Sequence, residues 1–127
     1  MVFCIRVTAV VADVGSRTGL LSRVFLDAGH PVVGVEPNAA MRAAAEADLA
    51  VYPGFTSVEG RAEASTLADG SVQLVIAGQA FHWFEPAAAA LEFRRIAASP
   101  GWAAMVWNDR PAGGSPFISA FEHSGWN

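Results

Sequence analysis

Apolar positions along the chain fall into short runs, punctuated by Gly and Pro, whose period switches back and forth between that of a strand and that of a helix. Residues 8–14 are largely β-branched and apolar, the pattern of a buried strand, and they run into Gly15. Residues 18–28 place Leu20, Leu21, Val24, Phe25 and Ala28 at helical spacing, and Gly29 followed by Pro31 stops that helix. Residues 31–35 predict a second strand ending at Glu36. Asn38 then stands where it can cap an alanine-rich helix through Leu49. Residues 55–58 leave room for a short third strand. Residues 72–77 are almost continuously apolar, as in a strand buried on both faces. A helix over 86–96 carries Pro86 in its first turn. A fifth strand over 102–107 follows the turn at Pro100 and Gly101, and Ser115 with Pro116 predicts a last short helix toward Glu122.

Strands joined by helical crossovers imply a parallel sheet with helices on both faces, an α/β three-layer architecture. There is no internal repeat, low-complexity linker or domain boundary, so residues 1–127 read as a single domain. With 53% hydrophobic and 16% charged residues, the composition excludes an intrinsically disordered chain. Net charge is −4, lysine is missing and the eight arginines are scattered, which argues against nucleic acid as a partner. The mean hydropathy of +0.34 raises the question of a membrane. However, the apolar runs, such as 7–12 (interrupted by Thr8) and 87–91, fall far short of the roughly 20 residues that span a bilayer. The N-terminus carries Arg6 inside its apolar stretch and no small-residue cleavage site before Asp13, so a signal peptide is not expected and the expected location is cytoplasmic. Cys4 is the single cysteine, and no Cys/His cluster points to a metal.

In an open α/β sheet, ligands bind beyond the carboxyl ends of the strands, near the point where strand order reverses. The residues at those ends are 13–19, Glu36, 60–63 and 78–84. Glycines between a strand and a helix let the backbone turn sharply and approach a ligand closely. An acid at the end of the second strand, about 20 residues beyond the glycine loop, is placed to accept hydrogen bonds from ribose hydroxyls.

The run Val11-Ala12-Asp13-Val14-Gly15-Ser16-Arg17-Thr18-Gly19-Leu20 resembles the first motif of class I S-adenosylmethionine-dependent methyltransferases. Val33-Gly34-Val35-Glu36-Pro37-Asn38, with Met41 beyond it, resembles their second-strand acidic motif. Gly60-Arg61-Ala62-Glu63, Val72-Gln73-Leu74-Val75 with Gln79-Ala80-Phe81-His82-Trp83-Phe84, and Pro100-Gly101-Trp102 continue the match. In pattern the chain is similar to the small-molecule methyltransferases of the type 11 group, from about residue 10 to residue 110. The resemblance implies a Rossmann-like fold with five strands in the order 3-2-1-4-5, lacking the last two strands of the family. It implies S-adenosylmethionine as cofactor and a small-molecule methyl acceptor as partner. Asp13 and Gly15 would line the methionine part of the cofactor, with Gly19 in the same loop, and Glu36 would hold the ribose. Ala62 and Glu63 would lie near the adenine, and Gln79 would close the rim. His82 and Trp83 would face the substrate, His82 as a general base or as a spectator; Phe81–Phe84 read equally well as plain packing.

The chain departs from the family pattern in three places. Arg17 stands where the family usually has the middle glycine, and a left-handed backbone there would cost roughly 1–2 kcal/mol. Its side chain would either swing outward or pair with the methionine carboxylate. Gln73 replaces a frequent Asp, and the segment before the fifth strand lacks the usual lysine and second glycine. With five strands only, the fifth would present an apolar edge open to self-association. Two other classes therefore stay in view. One is a catalytically dead remnant or pairing module. The other is a nicotinamide-dependent oxidoreductase, whose Gly-x-Gly-x-x-Gly loop is met here by Gly15, Arg17 and Leu20 and so fits worse.

Overall fold

The apolar runs pair side by side into one sheet, seen in a computed structural model that describes residues 9–77, 85–108 and 116–123. The strands are β1 (Val11–Val14), β2 (Val32–Val35), β3 (Phe55–Val58), β4 (Val72–Ala77), β5 (Ala97–Asn108) and β6 (Pro116–His123). Their order is β3-β2-β1-β4-β5-β6. The first five strands are joined by four parallel pairings, in the expected order 3-2-1-4-5, and β6 runs antiparallel to β5. Three helices make the crossovers, α1 (Leu20–Asp27), α2 (Ala39–Asp48) and α3 (Pro86–Ile96).

β1 is buried along its whole length, and its side chains alternate between two cores. Val11 packs with Val32, Leu74 and Ile76 against Leu26 of α1 and Leu49 beyond α2. Ala12 and Val14 pack with Val72 and Val75 against Ala89 and Ile96 of α3. The helices begin and end where the sequence marks them. The Asn38 side chain accepts a 3.0 Å hydrogen bond from the Met41 N–H at the start of α2. The Glu85 carboxylate accepts from the Ala87 and Ala88 N–H groups ahead of α3. α1 stops at Gly29, whose φ of +93° lets its N–H donate to Leu26 and the His30 N–H donate to Phe25. That left-handed angle, rather than crowding, is what calls for glycine there, since a Cβ would meet nothing within 4 Å.

Two expectations at the end of the chain are corrected. Residues 116–123 form β6 rather than a short helix, and they pair with β5 from Gly101↔His123 to Asn108↔Pro116. Ser-Pro resembles a helix start, but the apolar and aromatic residues that follow suit a strand as well, and an unpaired neighbouring edge decides between the two. The outer edge of β5 is consequently occupied by β6, and the open fifth-strand edge expected for self-association is not there. β5 also starts earlier than residue 102. Its register with β4 jumps from Val72↔Ala97 to Leu74↔Trp102, so a bulge precedes the regular pairing. Gly101 sits in that bulge, where a Cβ would lie 2.4 Å from the Ala98 carbonyl oxygen.

Candidate functional site

The register of the sheet builds a rim. Val14 lies beside Val35 on one side and Ala77 on the other, and Val35 lies beside Val58. The chain therefore leaves β1, β2, β3 and β4 at one level, and the strand order reverses between β1 and β4. That is the switch point at which α/β sheets open a crevice.

The turn from β1 to α1 alternates left-handed residues, with φ of +71° at Gly15, +56° at Arg17 and +90° at Gly19. Gly15 and Ser16 donate their N–H groups to the Val35 carbonyl at 2.7 and 3.2 Å, which folds the loop over the end of β2. The loop lies close enough that a Cβ on Gly34 would stand 2.9 Å from Ser16 Oγ and 3.2 Å from the Phe55 ring. Gly19 meets the same limit from the end of α2, for a Cβ there would fall 2.7 Å from a methyl of Leu49, the residue that follows that helix. Glu36 is 5% exposed and ties the two segments together. Its Oε1 accepts the Arg17 N–H at 2.8 Å and its Oε2 accepts the Asn38 N–H at 3.0 Å. A carboxylate has about four acceptor positions, so two remain for hydroxyl donors at the crevice. That remaining acceptor capacity is chemically compatible with the hydroxyls of a ribose.

Asp13 shares this loop but faces α1. It is fully buried and accepts a 2.6 Å hydrogen bond from the Ser22 hydroxyl. Burial pushes its carboxyl up to about 7; the bonds from Ser22 pull the other way, and the neighbouring Glu36 charge adds a smaller push upward. Ser22, which the periodicity of α1 marks only as a small residue, is the partner that sequence reasoning missed.

The loop after β3 leaves the rim beside β2, and Gly60 fits there because a Cβ would come within 3.0 Å of a Val35 methyl and 2.7 Å of the Ser65 carbonyl oxygen. Ala62 is buried in the core beneath α3, so only its backbone can face a ligand. The Glu63 carboxylate accepts the Glu85 N–H at 2.7 Å, at the entry to α3. Farther along, Glu92 of α3 accepts the Ser65 N–H at 2.8 Å and its hydroxyl at 2.6 Å. Arg95 donates to Glu92, to Asp69 and to the Leu67 carbonyl. Arg95 above all, helped by Ser65, holds the Glu92 carboxyl down to about 2 against the opposing effect of burial. Glu92 and Arg95 also escaped the sequence reading. Their i, i+3 spacing is a readable signal of a pair, but their common target in the loop is not.

The structure thus brings Asp13, Gly15, Gly19 and Glu36 into one loop system, and sets Ala62 and Glu63 on the adjoining loop. Gln79, His82 and Trp83 lie outside the described residues. Gln73, the departure at β4, accepts the Val10 N–H at 2.6 Å through its side-chain oxygen and fixes the start of β1. Among the described residues, no helix is long and apolar enough to cross a membrane.

Residues 12–105 match the family described as methyltransferase domain. An uncharacterized methyltransferase of Mycobacterium tuberculosis is 37% identical over 100 residues, covering 79% of this chain and 40% of that protein. The chain thus spans about 40% of the length of the curated relatives it matches. Among solved structures, a putative methyltransferase from an antibiotic biosynthesis pathway of Anabaena variabilis is 31% identical. It superposes with a TM-score of 0.73 over 83% of this chain and 41% of its own. The YcgJ protein of Bacillus subtilis, 21% identical, shares the fold with a TM-score of 0.77 over 83% of this chain and 46% of its own.

Proposed function

The chain belongs to the methyltransferase domain family, whose members use S-adenosylmethionine, and from that premise we propose that its rim binds this cofactor for methyl transfer to a small-molecule acceptor. The observation that carries the reading is Glu36, buried at the end of β2 on the same rim, with each oxygen on a backbone N–H and two acceptor positions still open. In this reading residues 1–127 act as one cofactor-binding domain. Glu36 takes the ribose hydroxyls, and Gly15 and Gly19 shape the turn beside the methionine part. Asp13 stiffens that turn from beneath, through Ser22. The Ala62 backbone and Glu63 flank the adenine, and Gln79 closes the rim.

The bound cofactor supplies an electrophilic methyl group on a sulfonium. The chain's share is to align acceptor and donor and to exclude water, so no protein nucleophile is required. His82, on the segment leaving β4, is assigned the proton of the acceptor hydroxyl or amine.

Calorimetric titration of the chain with S-adenosylmethionine and with NADH tests this. Binding of the first alone, lost in Glu36→Ala, is the expected result, and saturable binding of NADH alone would overturn it. A second reading, a relic of the fold that no longer binds, is favoured by one observation. Arg17 holds a left-handed backbone with φ of +56°, which glycine adopts without strain. Binding that appears only in Arg17→Gly would establish that reading instead.

A further inference from the structure

Arg17 is the one position of the glycine loop where this chain carries a long cation, and the structure shows what that cation is not used for. Its backbone is fixed, with the N–H on Glu36 Oε1 at 2.8 Å and φ at +56°. The two carboxylates that share its loop are already served by other donors. Asp13 is held by the Ser22 hydroxyl, and Glu36 by two backbone N–H groups. The first turn of α1 carries no acidic residue. Arg17 is exposed, and among the described residues its guanidinium makes no hydrogen bond or ion pair. A residue with a strained backbone, whose side chain pairs with none of the described residues, stands on the loop that adjoins the crevice, its N–H tethered to the buried acid.

We propose that Arg17 is a specificity residue that pairs with the α-carboxylate of the bound ligand, so that this rim selects adenosyl amino acids over adenosyl compounds lacking a carboxylate. The inference rests on the cofactor reading above. A planar guanidinium takes a carboxylate through two parallel N–H bonds, a geometry that lysine and glutamine cannot reproduce. Fixing the backbone through Glu36 reduces the freedom lost when the pair forms.

The probes are S-adenosylhomocysteine and its decarboxylated analogue, which keeps the nucleoside, the thioether and the ammonium. Calorimetry is run with both on the unaltered chain, Arg17→Gln, Arg17→Lys and Arg17→Gly. Charge-assisted bidentate pairs correspond to a preference on the order of tenfold or more for the carboxylate-bearing ligand. That preference is expected to fall toward unity in Arg17→Gln and Arg17→Gly and to survive in part in Arg17→Lys. The decarboxylated analogue should bind all four within about twofold, and added salt should weaken only the carboxylate-bearing ligand in the unaltered chain. Equal preference in the unaltered chain and Arg17→Gln overturns the inference and leaves the cofactor reading standing. Binding gained only in Arg17→Gly overturns it by making Arg17 an obstruction. Failure of both ligands with every variant overturns the cofactor reading itself.

Discussion

In the turn from β1 to α1 the backbone does most of the holding. Three left-handed residues and a pair of bonds to the Val35 carbonyl set its path, and a single carboxylate, Glu36, clips it down through N–H groups. The loop from β3 to β4 is held the other way, by side chains. Glu92 and Arg95 of α3 reach Ser65, Leu67 and Asp69, and Glu63 reaches the entry of the same helix. Both loops edge one rim, yet one is fixed by conformation and the other by charge. A loop fixed by conformation is sensitive to changes of backbone and little to salt; a loop fixed by ion pairs behaves in the opposite way. The buried acid beneath the first loop adds a further contrast. Asp13 is pushed up by burial, whereas Glu92 is held down by its arginine.

The two acids should accordingly give the chain opposite slopes of stability against pH, and this is the largest effect expected. The folded chain keeps a proton on Asp13 between its ordinary 3.8 and about 7, where the unfolded chain has released it. Stability therefore falls as pH rises from about 4 to about 7, by an amount on the order of 4 kcal/mol at the limit, since one pKa unit is about 1.4 kcal/mol. Urea unfolding across this window should show the slope in the unaltered chain and a flatter one in Asp13→Asn. An unchanged slope would remove Asp13 from the contrast. Glu92 works in reverse. Its stabilisation is present above 4.5 and is lost as pH falls toward about 2, which an acid titration of the folded signal would follow.

Next in size is Glu92→Ala. It removes the acceptor of the Ser65 N–H and hydroxyl and one of the three partners of Arg95, and the expected cost is about 3 kcal/mol, read as a lowered urea midpoint. High salt should mimic part of the loss, because Arg95 is partly exposed. Glu36→Ala leaves the N–H groups of Arg17 and Asn38 without their acceptor and should cost about 2 kcal/mol, with little dependence on salt. If salt shifted both variants equally, the distinction between the two loops would fail. The smallest effect belongs to Arg17→Gly. Relief of about 1–2 kcal/mol of left-handed strain is largely offset by the greater freedom glycine gives the unfolded chain, so a net gain below about 1 kcal/mol is expected in the midpoint.

The strands and helices that position the site were legible because local rules agree with one another there. Asn38, Gly29 and Pro86 mark helix ends by side-chain oxygen, left-handed angle and ring, and each acts where it stands in the chain. The order of the first five strands was legible only through the resemblance to a known family, because handed crossovers alone leave open where the order reverses. The end of the chain was not legible, since residues 116–123 have a pattern that suits two structures and only the vacant side of β5 selects between them. The same holds for the long-range partners. Nothing near Glu92 in sequence names Ser65, and nothing near Asp13 singles out Ser22 among the residues of the next helix.

By itself, then, the sequence determined the alternation of elements, the glycine loop and the acid one strand away, because spacing, caps and turn residues act over a few neighbours. The tertiary structure decided how each acid is used. It set Asp13 facing a serine in the core, Glu36 against backbone N–H groups and Glu92 beside an arginine. A carboxylate's charge and partners depend on what is packed around it, and packing is settled by elements that are far apart along the chain.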